Sequence, residues 1–330
     1  MEALKKLNIE TSNQTLFVLD ENEVLIGTLT DGDIRRGLIK GLNLDTPVHE
    51  FSNPDFSFIN REIDVYQIQR LKKDGIRVLP KLDAKGQIER VFDLSLLNSI
   101  LPLSVVIMAG GRGERLRPLT DNIPKPMLPL GNKPILEHII DRLISFGIES
   151  ITISVRYLGS QIINYFGNGS EKGIDINYIE EDAPMGTIGC LSMAGNIKHE
   201  TVLVLNSDIF TSINYEMFFL HFLNSDADMA VASIPYTVDI PYAIMDLNKD
   251  SVINFVEKPK NTYYANAGIY LIKKEFINLI PKGTFYNATD LMKQIISSNC
   301  KLIHSPITGY WIDIGKHDDY SKALEIVKHL

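Results

Sequence analysis

Hydrophobic positions from residue 104 onward alternate between two spacings. Short strand-like runs predict strands at 104–109, 151–155, 176–181 and 201–208. Between the first two runs, apolar residues recur at helical spacing and stop at Gly147, namely Ile135, Leu136, Ile139, Ile140, Leu143 and Ile144. Further helices are predicted at 160–166 and near 189–195.

This alternation is typical of the α/β class. Strands that alternate with helices form a mainly parallel, doubly wound sheet with helices on both faces. Ligands of such sheets bind beyond the carboxyl ends of the strands. We therefore expect functional residues in the loops that follow the strands, and first of all in the loop after residue 109.

The first hundred residues carry a weaker pattern that occurs twice. Residues 15–41 contain two apolar strands around a turn at Asp20–Asn22, followed by a helix that starts near Asp31. Residues 75–99 repeat that order around a turn at Asp83–Gly86. We therefore predict a smaller α+β domain over 1–100, a boundary in the segment 98–104, and the parallel-sheet domain over 104–330.

Composition and charge narrow the function classes. The 330 residues are 45% hydrophobic and 22% charged, which indicates an ordinary globular protein with room for two domains. A net charge of −8 argues against a general nucleic-acid binder, so any bound anion needs a local basic site. The distant Cys190 and Cys300 argue against a disulfide framework or a thiolate zinc site. No signal peptide or membrane span is visible, so we expect a cytoplasmic protein with no membrane partner.

The loop behind the first strand, "VVIMAGGRGERLRPLTDNIPKP" at 105–126, has the chemistry of an anion site. Gly110, Gly111 and Gly113 allow the backbone to approach a ligand and to turn its amides toward an anion. Five cations against two anions lie between Arg112 and Lys133. The spacing excludes a dinucleotide fingerprint, whose third glycine is replaced by Leu116, and a P-loop, whose Gly-Lys-Ser/Thr is absent.

The stretch "AGGRGERLRPLTDNIPKPMLPLGNKPIL", residues 109–136, resembles the signature of the sugar-phosphate nucleotidylyltransferases. These enzymes join a sugar 1-phosphate to a nucleoside triphosphate and release pyrophosphate, and their catalytic domain has a Rossmann-like nucleotidyltransferase fold. The resemblance implies that Ala109, Gly110, Gly111 and Gly113 bind the nucleotide, with the Ala109–Gly111 backbone at the base. It further implies that Arg115 steadies the leaving pyrophosphate and that Lys125 contacts phosphate oxygens.

Two aspartates follow apolar strand-like runs and are candidate metal ligands. Asp208 ends "VLVLNSD" and Asp313 lies in "YWIDIG". Carboxylates at two strand ends can converge on Mg²⁺, which prefers oxygen ligands and substrate phosphates, but aspartates there are equally common as helix caps or turn residues. The two stretches resemble the metal-binding motifs of the same family, which implies that Asp208 and Asp313 hold Mg²⁺ as cofactor.

Three further stretches resemble the sugar side of the family's site. In "FVEKP" the resemblance implies that Glu257 bonds sugar hydroxyls and Lys258 pairs with the sugar phosphate. The strand "NAGIY", with Asn266 and Gly268, resembles the wall of the sugar pocket. The loop "EDAPMGTIG" resembles the segment that closes over base and sugar, with Gly186 at the nucleotide and Glu181 at the sugar. Family members often have Tyr-Gly where this chain has "YA" at 242–243, a departure that bears on which sugar fits.

The N-terminal repeat resembles a pair of cystathionine-β-synthase-type (CBS) modules, which often bind adenine nucleotides and regulate an attached domain. The first copy has the usual Thr-x-x-Asp pattern at Thr30 and Asp33, which implies an effector site for phosphate and ribose. The second copy has Phe92 and Ser95 at those places. We therefore expect one competent adenine-nucleotide site at most, and a purely dimerising pair is the alternative.

The combination of a CBS pair with this catalytic domain resembles the glucosamine-1-phosphate guanylyltransferases of bacterial nonulosonic (legionaminic) acid pathways. It implies GTP and glucosamine 1-phosphate as substrates and a homo-oligomer. Mannose- or heptose-1-phosphate guanylylation and glucose-1-phosphate thymidylylation stay open, as does a catalytically silent nucleotide sensor. The sensor has no need of Asp208 and Asp313 beside Arg115 and Lys125, so the sequence favours the enzyme.

Overall fold

A computed structural model describes residues 1–9, 15–60, 64–195 and 197–329 of the chain. Within it the chain forms two compact units. The first comprises Met1–Pro102 with Ser145–Gly147, and the second comprises Leu103–Ile144 with Ile148–Leu330. The chain passes from one unit to the other inside the segment 98–104.

The first unit consists of short helices and two β-hairpins. Its helices are α1 (Glu2–Ile9), α2 (Asp31–Ile39), α3 (Val48–Phe51) and α4 (Val65–Lys73). Its strands are β1 (Thr15–Leu19), β2 (Leu25–Thr30), β3 (Val78–Leu82) and β4 (Ile88–Asp93). β1 pairs antiparallel with β2 and β3 with β4, so both predicted hairpins, with their turns at Asp20–Asn22 and Asp83–Gly86, are confirmed. The Leu25 amide donates to the Gly86 carbonyl at 3.0 Å, which joins the two halves.

The two halves differ after the second strand. α2 follows β2 as predicted, but no helix follows β4 in the described residues 94–102, so the sequence prediction of a repeated helix was wrong there. Leu94 and Ile100 both enter the core around Leu79 and Phe92. Residues six apart lie about 120° away from each other around a helix, so one helical face would not bury both. The irregular conformation of residues 94–102 allows both Leu94 and Ile100 to be buried.

The second unit contains a large central sheet. The strands of the whole second unit are β5 (Leu103–Ala109), β6 (Pro129–Leu130), β7 (Lys133–Pro134), β8 (Ser150–Val155), β9 (Asp175–Glu180), β10 (Thr201–Asn206), β11 (Ile209–Thr211), β12 (Met229–Asp239), β13 (Ile244–Asn248), β14 (Ser251–Val256), β15 (Lys260–Lys273), β16 (Leu302–Pro306) and β17 (Trp311–Asp313). Its helices are α5 (Ile135–Ser145), α6 (Gly159–Phe166), α7 (Tyr215–Asn224), α8 (Ala288–Ser297) and α9 (His317–Val327).

The central sheet confirms the predicted α/β class. In the described part of the chain its strand order is β16-β12-β15-β10-β5-β8-β9. Neighbours run parallel from β10 through β9 and between β12 and β16, and β15 runs antiparallel to both of its neighbours. The predicted runs at 104–109, 151–155, 176–181 and 201–208 correspond to β5, β8, β9 and β10, which makes the sheet mainly parallel.

Two predicted helices differ in length or type. α5 ends at Ser145, before the predicted stop at Gly147, and the segment near 189–195 forms a short 3₁₀ helix over Gly189–Met193. Consecutive residues from Ile188 to Leu191 are buried, and an amphipathic α-helix does not bury consecutive positions on one face. The segment packs as part of the core among Val204, Ile272 and Leu291. No helix in the described ranges is long and apolar enough to cross a bilayer.

Candidate active site

The candidate site lies where the central parallel strands end. Ala109, the last residue of β5, is in register with Val155 of β8, and Met108 is in register with Asn206 of β10. Because these ends are aligned, the segments that follow the three strands emerge at the same edge of the sheet. The predicted glycine loop after β5 therefore lies beside the residues that follow β10.

The glycine loop makes a close approach that admits no side chain at one position. Gly113 has φ +64°, and a Cβ there would lie 2.9 Å from the Cβ of Lys125. The Gly113 carbonyl accepts a hydrogen bond from the Thr120 hydroxyl at 2.9 Å. The glycine loop therefore packs directly against the segment that carries Lys125, and glycine at 113 makes this close approach possible.

Lys125 lies between the two predicted metal ligands. Its ammonium group donates a hydrogen bond to Asp208 Oδ2 and lies 3.8 Å from Asp313 Oδ1. The two aspartates meet because β11 pairs antiparallel with β17, which aligns Ile209 with Asp313. Residues that the sequence separates by more than a hundred positions therefore form one ionic cluster.

The two carboxylates have the properties of a cation site. Burial, followed by the negative charge of Asp208, raises the pKa of Asp313, although Lys125 and Arg115 partly offset this. Asp208 Oδ1 and Asp313 Oδ1 are buried atoms without a hydrogen-bond partner among the described residues. Unpaired buried carboxylate oxygens are costly unless a cation compensates them, so the pair fits a hard divalent cation. No group of three or more acidic, histidine or cysteine side chains in the described ranges adds to the pair.

Two adjoining cavities surround this cluster. The first has a volume of about 270 Å³ and the second about 460 Å³. Both are lined by Gly111, Lys125, Arg156 and Asp208. Of the predicted residues, the first cavity adds Gly110, Glu181 and Gly186, and the second adds Gly113 and Arg115. The cavities form one cleft that spans the glycine loop and the ionic cluster.

The second cavity is the cationic part of the cleft. Arg112, Arg115, Lys125 and Arg156 line it, against Glu114 and Asp208. A Cβ at Gly315 would lie 3.1 Å from the Arg115 guanidinium, so Arg115 sits against the turn that follows Asp313. The predicted local excess of positive charge is therefore concentrated where a polyphosphate would meet the two aspartates.

The basic residues of the sequence stretch do not all take part. Arg117 pairs with Asp121 at 3.2 Å, and Lys133 pairs with Asp141 at 2.6 Å. Neither Arg117 nor Lys133 lines either cavity of the cleft.

Arg156 is a residue of the cleft that sequence reasoning missed. It follows β8 directly, lines both cavities and has a buried Nε without a hydrogen-bond partner in the described part of the chain. The available signal was its position as the first residue after a buried strand, at the edge where ligands bind. No spacing in the sequence links Arg156 to the glycine loop.

Glu181 lies at the glycine-loop end of the cleft. Its side chain is 9% exposed, and its Oε1 accepts a hydrogen bond from the Ser154 hydroxyl at 2.5 Å. A Cβ at Gly110 would lie 3.1 Å from either carboxylate oxygen. The carboxylate is thus packed against the loop segment that the resemblance associates with the nucleotide base.

Asn266 and Gly268 lie at the edge of the cleft and do not line its cavities. The Asn266 amide donates to the Tyr270 hydroxyl at 2.9 Å and accepts from the Gly268 amide at 2.8 Å. Gly268 has φ +71°, and a Cβ there would lie 2.6 Å from the side chain of Asn206, which does line the cleft. Gly268 therefore allows the cleft residue Asn206 to pack.

Glu257 and Lys258 are not brought into the cleft of their own chain. Both are exposed in the turn that follows β14, and neither lines either cavity. Tyr242 is 74% exposed on the same part of the chain. The sequence grouped these residues with the sugar side of the site, whereas the structure separates them from its nucleotide side.

Thr30 and Asp33, the predicted effector residues, form a capping box at the start of α2. Asp33 Oδ2 accepts from the Thr30 hydroxyl at 2.6 Å, and Oδ1 accepts from Arg36 at 2.6 Å. Burial alone would raise the pKa of Asp33, but these bonds outweigh it and lower the pKa. Both residues thus have a structural role within the first unit.

The fold and cleft agree with a family assignment. Residues 104–329 match the family model described as nucleotidyl transferase, so the chain belongs to the nucleotidyl transferase family.

Several curated relatives are similar to this part of the chain. A D-glycero-α-D-manno-heptose 1-phosphate guanylyltransferase of Aneurinibacillus thermoaerophilus is 32% identical over 69% of this chain and 99% of its own length. The mannose-1-phosphate guanylyltransferase of Mycobacterium tuberculosis is 29% identical over 67% of this chain, and the bifunctional protein GlmU of Methanococcus vannielii is 36% identical over 67%. This chain spans 63% and 54% of the length of those two proteins.

A solved structure gives the same result for the fold. HddC from Yersinia pseudotuberculosis, complexed with GMP-PN, is 28% identical with a TM-score of 0.54, and the match covers 68% of this chain and 99% of HddC.

Proposed function

We propose that this chain is a sugar-1-phosphate nucleotidyltransferase that transfers GMP from GTP to glucosamine 1-phosphate and releases pyrophosphate. The observation that carries the proposal is the contact of Lys125 with both Asp208 and Asp313, beside a cavity lined by Arg112, Arg115 and Arg156. Nucleotidyl transfer needs positioned phosphates and neutralised charge rather than a covalent intermediate. The cleft supplies both.

In the proposed mechanism, a phosphate oxygen of the sugar 1-phosphate attacks the α-phosphorus of the nucleotide. The new P–O bond forms as the bond from the α-phosphorus to the bridging oxygen breaks, and pyrophosphate leaves with that electron pair. Arg115 and Lys125 hold the departing pyrophosphate, since both line the cationic cavity. Their charges are preorganised, because Lys125 is buried between two carboxylates.

Mg²⁺ is the proposed cofactor, and Asp208 and Asp313 would hold it. When bound, it supplies Lewis-acid neutralisation of the phosphate oxygens. The two buried Oδ1 atoms without hydrogen-bond partners support these ligands. The role of this chain is to keep both carboxylates aligned through the pairing of β11 with β17.

Guanine is the proposed base, and Glu181 is the residue that favours it. The family resemblance implies a sugar contact for Glu181, but its contact with Gly110 favours the base instead. A carboxylate offers only acceptors, and guanine presents two adjacent donors, N1–H and the N2 amino group. Thymine presents one donor between two carbonyl acceptors, which a carboxylate repels. Several relatives are also described as guanylyltransferases.

Glucosamine 1-phosphate is the proposed sugar substrate, because the combination of this catalytic domain with the N-terminal repeat resembles that of the glucosamine-1-phosphate guanylyltransferases. Mannose 1-phosphate and heptose 1-phosphate are the substrates in the names of two relatives and are the first alternatives. Ala243, beside the exposed Tyr242, is a candidate for sugar choice.

For residues 1–100 we propose a CBS pair that binds an adenine nucleotide through Thr30 and Asp33 or serves in dimerisation. The duplicated hairpins support the pair. Asp33 Oδ2 already accepts from Thr30 and Oδ1 from Arg36, so effector binding through Asp33 would have to replace its bond from Arg36. Calorimetric titration of the full chain and of its Asp33→Ala variant with AMP and ATP distinguishes the two roles: if the pair only dimerises, the variant binds both nucleotides as the wild type does.

The experiment that tests the proposed reaction is a matrix of nucleoside triphosphates against sugar 1-phosphates, scored by pyrophosphate release with Mg²⁺. GTP with glucosamine 1-phosphate should give the highest kcat/KM. A different best pair would replace the substrate assignment and keep the reaction. No release with any pair would overturn the reaction and favour the silent nucleotide sensor.

A further inference from the structure

One segment of the second unit extends away from the core. We call residues 235–265 the arm: it consists of the outer halves of β12 and β15 with the hairpin β13–β14 between them. β12 is buried up to Ser233 and β15 is buried from Ala267 onward. Every arm residue is exposed except Ile240 and Pro259, which are partly buried.

The arm is too apolar for a segment that stays in water. It exposes five aromatic rings: Tyr236, Tyr242, Phe255, Tyr263 and Tyr264. Ile244 and Met245 are adjacent on β13, as are Val252 and Ile253 on β14, so apolar side chains project from both faces of the hairpin. A two-stranded hairpin is marginally stable on its own, and large exposed apolar patches mark interaction surfaces.

The arm contacts the rest of the described chain mainly at its root, where β12 and β15 leave the core beyond Ser233 and before Ala267. Among the described residues, the hydrogen bonds and ion pairs of 237–262 join residues of the arm to one another, such as Lys260 with Asp239 at 2.9 Å. The ring of Tyr264 lies 4.7 Å from that of His304 at the root. The outer edges of β13 and β14 are open in the described sheets.

The arm also carries two charged residues that make no polar contact within the described part of the chain. Glu257 and Lys258 follow β14, are exposed, and have no hydrogen bond or ion pair in the part of the chain that the structure describes. Lys258 has φ +44°, a conformation that costs free energy for a residue with a side chain and that tends to occur at binding sites. The cleft of the same chain lacks both.

We propose that the arm packs on a second copy of this chain and that Glu257 and Lys258 complete the sugar-phosphate side of the partner's cleft. The proposal rests on the proposed function for the identity of the ligand. The two copies would exchange arms about a twofold axis, so that each cleft receives one arm.

The dimensions of the arm agree with this arrangement. Its five aromatic rings alone expose on the order of 600 Å². With the aliphatic side chains the apolar surface approaches about 1,000 Å², compared with the roughly 800 Å² that each partner buries in a standard stable interface. The five exposed residues of β12 span roughly 17 Å. This is about the radius of gyration of a domain of this size, so the arm reaches well into a neighbouring molecule.

Complementation between two inactive full-length variants tests the proposal. The cleft variant carries Asp208→Asn, and the arm variant carries Glu257→Gln with Lys258→Met. After mixing, unfolding and refolding together at equal amounts, about a quarter of the wild-type pyrophosphate release should return, because half of the dimers join the two variants and each has one intact cleft with an intact arm. A chain with all three substitutions, mixed with the arm variant, should restore nothing.

Absence of restored activity from two folded variants would overturn the proposal and assign the arm to the cleft of its own chain. So would a wild-type protein that is monomeric by light scattering at assay concentration.

A cross-linking experiment keeps the arm testable if the wild type releases no pyrophosphate with any substrate pair. In a Cys300→Ser background, Lys258→Cys and Gly111→Cys should be joined by a short bismaleimide into covalent dimers. Joining within single chains would overturn the exchange. Lys258→Cys alone is the control and should give no covalent dimer through Gly111.

Discussion

The buried Lys125 and the partly buried Asp208 form an ion pair at the junction of two cavities, and the pair fixes where the charges of the cleft meet. Lys125 comes from the segment after the glycine loop and Asp208 from the end of β10. Asp313 completes the cluster at 3.8 Å from the Lys125 ammonium. One cation thus lies between two carboxylates, and a buried oxygen of each carboxylate, Oδ1, makes no hydrogen bond among the described residues.

Replacing either carboxylate should remove activity and preserve the fold. Asp208→Asn or Asp313→Asn should lower kcat by at least about 100-fold, because each removes a ligand of the proposed Mg²⁺ that neutralises the reacting phosphates. Burial and Asp208 already raise the pKa of Asp313, so loss of one charge relieves repulsion and the Tm should stay within about 4 °C. Asp175→Asn, at an exposed strand start, is the matched control. Near-normal turnover of Asp208→Asn would refute its role.

Arg156 should matter as much as the arginines of the glycine loop. Arg156→Gln should lower kcat/KM for the nucleotide by about 10- to 100-fold, since a charge-assisted bond to phosphate is lost. Arg117→Gln provides the comparison, because Arg117 is exposed and pairs with Asp121. Steady-state kinetics at varied nucleotide concentration measures both. Equal effects of the two variants would exclude a specific role for Arg156.

Gly113 should tolerate no side chain. Gly113→Ala would place a left-handed residue at φ +64° with its Cβ 2.9 Å from that of Lys125. We expect a loss of about 1–2 kcal/mol in the free energy of unfolding from the backbone conformation alone, and reduced activity from displacement of Lys125. Gly195→Ala, with no atom within 4 Å of its Cβ, should change neither. Urea unfolding measures the difference.

An ion-pair network in the second unit should make the free energy of unfolding decrease at acidic pH. Lys172 bonds both Glu137 and Asp141 at 2.7 Å. Burial alone would raise the pKa of each carboxyl, but the bonds from Lys172 and other donors outweigh it and lower both. Their contribution is therefore present above the unfolded pKa values of 4.5 and 3.8 and is lost as the pH falls through the lower folded values.

The measurement is the free energy of unfolding of wild type and Lys172→Met between pH 7 and pH 3. The two curves should converge toward low pH, because protonation of Glu137 and Asp141 abolishes the same ion pairs that the Lys172→Met substitution removes. Curves that stay parallel would contradict the network's contribution. Lys328→Met, which breaks an exposed pair with Glu325, is the control and should follow the wild type.

Much of the fold follows from spacing along the chain. The apolar runs that became β5, β8 and β10 are short and nearly continuous because both faces of a central parallel strand are buried, whereas the edge strand β9 alternates between buried and exposed residues. The prediction failed after β4 and near Gly189–Met193. There, burial depends on contacts distant in sequence, and local periodicity carries no information about them.

The sequence by itself determined the chemistry: a glycine loop rich in cations, and acidic residues that end apolar runs. It determined this because close backbone approach and charge need particular residue types wherever the chain folds. Only the tertiary structure decided which of these residues meet. Strand register brought Asp208 to Asp313 and added Arg156, and the course of β12 and β15 carried Glu257 and Lys258 away from the cleft. Those relationships depend on pairing between distant segments, which no local pattern records.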